Sequence, residues 1–153
     1  MVDGQIPLIV EFKLESFDTK ICDIVAPYLD SYKGVYCVES FHPAVVNWYK
    51  KNRPHIIRGQ LSANELFPKG KVSNKFLNFI LKNLMLNFWG RPDFIAYEHD
   101  YGNTISLILA RKLFRAPAIA YTVQSQAELE AAIKYFDLFI FDMFIPNPKT
   151  LGY

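Results

Sequence analysis

Two charged side chains close an otherwise apolar run, I-P-L-I-V-E-F-K, from Ile6 to Lys13. Along an extended strand successive side chains point to opposite faces, so Glu11 and Lys13 share a face with Ile9, while Leu8, Val10 and Phe12 share the other. Residues two apart lie about 6–7 Å from each other at ~3.3 Å per residue. Such a carboxylate and ammonium form either a structural ion pair at a strand end or part of a site. A lysine in that setting also invites comparison with Schiff-base nucleophiles, a weaker reading. Farther along, Arg58 and Gln60 share one parity just before a loop. The guanidinium of Arg58 has the geometry to grip a phosphate or a head group, or to form a structural salt bridge. Glu39 and Ser40 have opposite parity, so only one of them faces inward in an unbulged strand; Glu39 is assigned a supporting role. His99 shares parity with Tyr97 and is the histidine considered for a site. His42 is placed at a helix start and His55 at the beginning of a strand.

The elements that must position these residues alternate from end to end. Strands are expected at Leu8–Lys13, Val35–Phe41, His55–Leu61, Asp93–His99, Ala118–Val123 and Leu138–Asp142. Helices are expected near Thr19–Ser31, Pro43–Lys51, Ser73–Trp89, Asn103–Phe114 and Ser125–Phe136. Pro43 suits a first helical turn, Asn103 and Ser125 suit N-caps, and S-Q-A-E (Ser125 to Glu128) reads as a capping box. This βαβα alternation implies a parallel sheet covered by helices. No glycine occurs in K-L-E-S-F-D-T (Lys13 to Thr19), so the phosphate-binding turn of a doubly wound nucleotide fold is absent after the first strand. The strand ends are conspicuously polar instead, which favours a (β/α) barrel with function at its carboxyl ends. Six strands of such a barrel's eight are present, making it an incomplete TIM-type barrel within one domain over residues 1–153.

Composition narrows the partners. At 153 residues and 51% hydrophobic, the chain is long enough for a single sizeable core. A net charge of +2 without any basic run argues against nucleic acid. Two cysteines, Cys22 and Cys37, in segments expected to be buried suggest a reducing compartment, hence a cytoplasmic location. The apolar window Phe76–Trp89 is broken by Asn78, Lys82, Asn83 and Asn87 and falls short of the ~20 residues a bilayer requires. It is read as a core-covering helix, the alternative being contact with a membrane surface or another chain.

Taken in order, I-P-L-I-V-E-F-K, Y-C-V-E-S-F-H-P-A-V-V-N-W-Y-K-K-N-R-P-H-I-I-R-G-Q-L (Tyr36 to Leu61) and A-Y-T-V-Q-S-Q-A-E-L-E-A-A-I-K-Y-F-D-L-F-I-F-D (Ala120 to Asp142) resemble the carboxyl-terminal part of the glycerophosphodiester phosphodiesterase family. The resemblance implies a (β/α) barrel enzyme that hydrolyses glycerophosphodiesters to glycerol 3-phosphate and an alcohol, using a divalent cation and a pair of histidines. On that resemblance Glu11 matches a metal carboxylate, for Mg²⁺ or Ca²⁺, and Lys13 a catalytic lysine that binds phosphate oxygens. Tyr121 falls where the family has a lumen-facing tryptophan. Arg58, Glu39 and His99 complete the candidate substrate-binding set.

The family's H-R-G and E-N-T motifs, and the E-x-D pair and second histidine that the resemblance would place with them, are not found ahead of the E-x-K strand. The E-x-K strand is the family's third, so the resemblance implies a carboxyl-terminal portion that begins at that strand and is inactive alone, with the cation held only in the complete protein. The alternative is a shortened, non-catalytic homologue that binds a ligand or a protein. A sheet lacking two strands leaves open edges, so a homodimer through them is a further expectation.

Overall fold

The computed structural model describes residues 4–14, 16–63 and 87–152. The first strand is β1 (Leu8–Glu11), followed by α1 (Lys20–Asp30), β2 (Tyr36–Ser40), α2 (Pro43–Asn52) and β3 (Arg58–Ser62). A short helical turn, α3 (Asn87–Gly90), precedes β4 (Phe94–Glu98), α4 (Ile105–Phe114), β5 (Ala118–Val123), α5 (Gln126–Ala132) and β6 (Leu138–Phe141). The sheet order β1-β2-β3-β4-β5-β6 is chain order throughout. Parallel strands added one after another with helices between them are the pattern of a (β/α) barrel, here an incomplete one. Most of the expected helix Ser73–Trp89 lies outside the described residues. Among those residues no helix is long and apolar enough to cross a membrane.

Two compact units divide the chain, 1–61 with 86–93 and 62–85 with 94–153. In the first unit the alternation of β1 decides what is buried. Val10 is half-buried and packs, with buried Phe12 beyond it, against a core of Cys22 and Ala26 from α1, Val38 from β2, and Val45 and Tyr49 from α2. The rings of Phe12 and Tyr49 meet at 5.5 Å, tilted by 58°. Ile9 and Glu11 take the opposite, exposed face, as strand parity requires. Pro43 occupies the first turn of α2, where its missing N–H costs nothing, and the His42 imidazole accepts the Ala44 N–H at 3.2 Å. Arg53, just past α2, pairs with Asp30 at the end of α1 at 2.7 Å.

In the second unit the core gathers Ile95 and Tyr97 from β4, Leu107 and Ala110 from α4, Ala118, Ala120 and Val123 from β5, and Leu129 from α5. Ala118 and Ala120 give the β5 side of this core small side chains. Ser125 caps α5 as expected, its Oγ accepting the Glu128 N–H at 3.3 Å. The return bond of the box goes one residue upstream, from the Gln124 N–H to the Glu128 carboxylate at 2.7 Å. The N-cap of α4 is Thr104, one residue after the expected Asn103. Arg111 holds Asp137 with both Oδ atoms at 2.7 Å, and Asp137 also accepts the Ala118 N–H, fixing the entry to β5.

Candidate functional site at the strand ends

β1 and β2 pair in parallel with Glu11 directly beside Glu39. Val10 and Val38, one residue earlier, belong to the helix-facing core, so Glu11 and Glu39 stand together on the other face. Strands are ~4.8 Å apart, which brings two carboxyl groups side by side. The next residue in the row is Gly59 of β3, which contributes no side chain.

The two carboxyls differ sharply in surroundings. Glu11 is exposed and pairs with Lys13, whose Nζ lies 3.5 Å from Glu11 Oε2. Glu39 is only 7% exposed, and among the described residues its Oε2 has no hydrogen-bond partner. Burial pushes the Glu39 carboxyl up from the ordinary 4.5 to about 7, and the charge of Glu11 beside it adds to the rise. The sequence assigned Glu39 a supporting role because parity alone does not say which carboxylate will lie next to it across strands. Only the register supplies that neighbour.

Ser40 points the opposite way, as its parity demands. Its Oγ donates to the Phe12 carbonyl at 2.6 Å and accepts the His42 N–H at 3.0 Å. The Phe12 N–H in turn donates to the Glu39 carbonyl at 2.8 Å. These bonds hold the backbone immediately before Lys13, while the Lys13 side chain itself is 81% exposed. β1 is assigned only to Glu11, so Lys13 leaves from a pinned strand end and not from the strand itself.

Arg58 lies elsewhere. The apolar run H-I-I-R suggests a strand from His55, but β3 begins at Arg58, after a turn in which the Ile56 N–H donates to the Arg53 carbonyl. Arg58 is in register with Val38 and therefore belongs to the helix-facing side, not the face of Glu11 and Glu39. Its guanidinium pairs with Asp93 at 3.2 Å and donates to the Arg91 carbonyl at 3.1 Å. Asp93 also accepts the Arg58 N–H, and Arg58 accepts from the Asp93 N–H, so the pair is locked through backbone and side chain alike. Of the two sequence readings of Arg58, this geometry is that of the structural salt bridge. Gln60, of the same parity, donates to the Ser40 and Phe41 carbonyls.

His99 and Tyr121 belong to the second unit, where the structure brings them together. They line a polar cavity of about 400 Å³ with Glu98, Asp100, Tyr101 and Gln124. Tyr121 is in register with Glu98, and its hydroxyl donates to the Ser62 carbonyl at 2.8 Å. β4 ends at Glu98, so His99 begins a short 3₁₀ turn rather than ending the strand. Its Nδ1 is 3.2 Å from Asp100, and its Nε2 is 3.6 Å from Glu128. The Gln124 N–H bound to Glu128 holds that carboxyl below the usual range, keeping it an anion beside the imidazole. Both ring nitrogens thus face a carboxylate of their own unit.

Among the described residues no group of three or more histidines, cysteines, aspartates or glutamates is placed to hold a metal ion. The donor chemistry of Glu11 and Glu39 nevertheless suits a hard cation, because Mg²⁺ keeps several waters and uses one or two carboxylates alongside substrate phosphate.

Comparison with solved structures places this arrangement among known folds. One match is a protein from Silicibacter pomeroyi DSS-3 described as a glycerophosphoryl diester phosphodiesterase, with a TM-score of 0.57 and 12% identity. It is matched over 87% of this chain and 45% of its own. A second, from Agrobacterium tumefaciens str. C58 and described in the same words, has a TM-score of 0.60 and 10% identity, over 95% of this chain and 56% of its own. The chain shares their fold. It spans about half the length of these structures. No family model matches the sequence, and no curated protein does.

Proposed function

We propose that this chain is the carboxyl-terminal portion of a metal-dependent phosphoric diester hydrolase that acts on glycerophosphodiesters, releasing glycerol 3-phosphate and an alcohol. The observation that carries the reading is the Glu11–Lys13 pair, held at 3.5 Å at the carboxyl end of a parallel strand on the face away from the helices. The likeness to two phosphodiesterase structures supports the same reading at the level of fold. Glu11 is the residue that would hold Mg²⁺ or Ca²⁺, and when bound the cation polarises a phosphoryl oxygen as a Lewis acid. Lys13 places an ammonium beside the phosphate oxygens and offsets the charge that grows on them. Its exposed side chain is free to exchange Glu11 for a phosphate oxygen, and the backbone behind it stays fixed by Ser40.

The family's histidine motif is not found in these residues, so the chain alone is proposed to bind without turning over. Titration of the purified chain with glycerophosphocholine in the presence of Mg²⁺ tests this. Weak binding is expected, with Lys13→Ala reducing affinity by about tenfold, the value of one charge-assisted contact, and no glycerol 3-phosphate released. Binding indifferent to Lys13 would overturn the site, and metal-dependent release would overturn the inactivity.

A further inference from the structure

The resemblance gives the buried carboxyl of Glu39 no part in holding a cation, and its placement asks for one. A carboxyl group shut away from water is costly unless it is paired or coordinates a cation. Among its described neighbours, Glu39 leaves Oε2 without a hydrogen bond, and the charged side chain next to it in register is another carboxylate. Stability alone would favour an apolar residue here, as Ile9 and Cys37 occupy the preceding pair on the same face.

We propose that Glu39 is a second carboxylate ligand, joining Glu11 to bind a divalent cation across the β1–β2 pair. The inference rests on the cation-binding role given to Glu11 above and extends it to a residue with no such role in the resemblance. Three features fit. Direct register roots the two glutamates on one face, with their backbones about one strand spacing apart, within reach of a shared ion. Oε2 supplies an oxygen that no donor among the described residues has claimed. Gly59, next in the row, leaves that position without a competing side chain. Two carboxylates, waters and a phosphate oxygen make up the ligand set that Mg²⁺ prefers, and one carboxylate alone makes a poor site. Glu39 therefore turns a single-ligand position into a usable one, with Lys13 still paired to Glu11.

The test uses Mn²⁺ as the probe, with free Mn²⁺ measured by electron paramagnetic resonance in the presence of the whole chain, and with Glu11→Gln and Glu39→Gln as isosteric variants. Both substitutions are expected to weaken binding by about tenfold or more, with circular dichroism confirming that each variant is folded. A second measurement needs no variant: with ¹³C-labelled glutamate carboxyls, Mn²⁺ should broaden the Glu11 and Glu39 signals before those of Glu98, Glu128 and Glu130. Loss of binding in Glu11→Gln but not in Glu39→Gln, or broadening of Glu11 alone, would overturn the inference and leave the proposed function standing. No Mn²⁺ binding by the wild-type chain would overturn the inference and leave Glu11 as a cation ligand of the complete protein alone.

Discussion

The carboxyl ends of β2 and β4 carry their charged groups in opposite ways. At β2 a carboxyl is buried beside a second carboxyl, with one oxygen left unpaired among the described residues. At β4 the His99 ring sits between two carboxylates of its own unit, and the farther of them, Glu128, is fixed by the capping bonds of α5. An unpaired buried group is stored disadvantage that an incoming ion can relieve, whereas a paired one gains little from a visitor. Polarity at a strand end is therefore a poor guide to binding until each group's partners are counted.

The comparison can be broken first at its foundation. Phe12 is the buried side chain beneath the first unit's strand end, and Phe12→Ala should cost about 3–5 kcal/mol in urea unfolding. The expected result is loss of Mn²⁺ binding together with stability; a loss below ~1 kcal/mol would show that Glu11 and Lys13 do not depend on that core.

A titration sharpens the difference next. The folded-state pKa of Glu39 is raised to about 7 from 4.5, so between those values the folded protein holds a proton that the unfolded chain has released. Its contribution is present below pH 4.5 and is lost as pH rises to 7, on the order of 3 kcal/mol. In chelator, melting temperature should fall across that window, and Glu39→Gln should flatten the fall. Removing the neighbouring charge with Glu11→Gln should lower the Glu39 titration midpoint, while Asp100→Asn in the second unit should leave it in place. An unchanged midpoint in Glu11→Gln would remove the electrostatic link between the two carboxyls.

The smallest expected effect belongs to the second unit. Ser125→Ala removes the cap of α5 and should cost about 1 kcal/mol. Because the same turn presents Glu128 to His99, the imidazole resonances in proton NMR should shift with it. Unshifted resonances would mean that His99 is held by Asp100 alone.

How much of this was readable from the residues depends on how local the cause is. Parity in β1 is local, and it separated Glu11 and Lys13 from Phe12 correctly. Helix starts are local as well, so Pro43 and Ser125 were placed, whereas α4 starts one residue later than expected, from Thr104, whose side chain makes no capping bond. The start of β3 was misplaced because H-I-I has strand composition, and the turn that delays the strand is a backbone bond from Ile56 to Arg53. The face of Arg58 is set separately, by its register with Val38. The neighbour of Glu39 was beyond reach, since pairing register is set by packing between segments some 28 residues apart.

The clasp of Ser40 on Phe12 bears on the kinetics of capture. A long side chain rooted in a loose loop must lose loop freedom as well as its own when it seizes a ligand. Lys13 follows a residue whose N–H, carbonyl and ring are all engaged, so its ordering cost is confined largely to its own torsions, about 2 kcal/mol. The hydroxyl of Ser40 thus acts as a fixed mooring for a mobile charge, letting Lys13 sweep the water in front of the two carboxyls at high local concentration without the strand beneath it having to move.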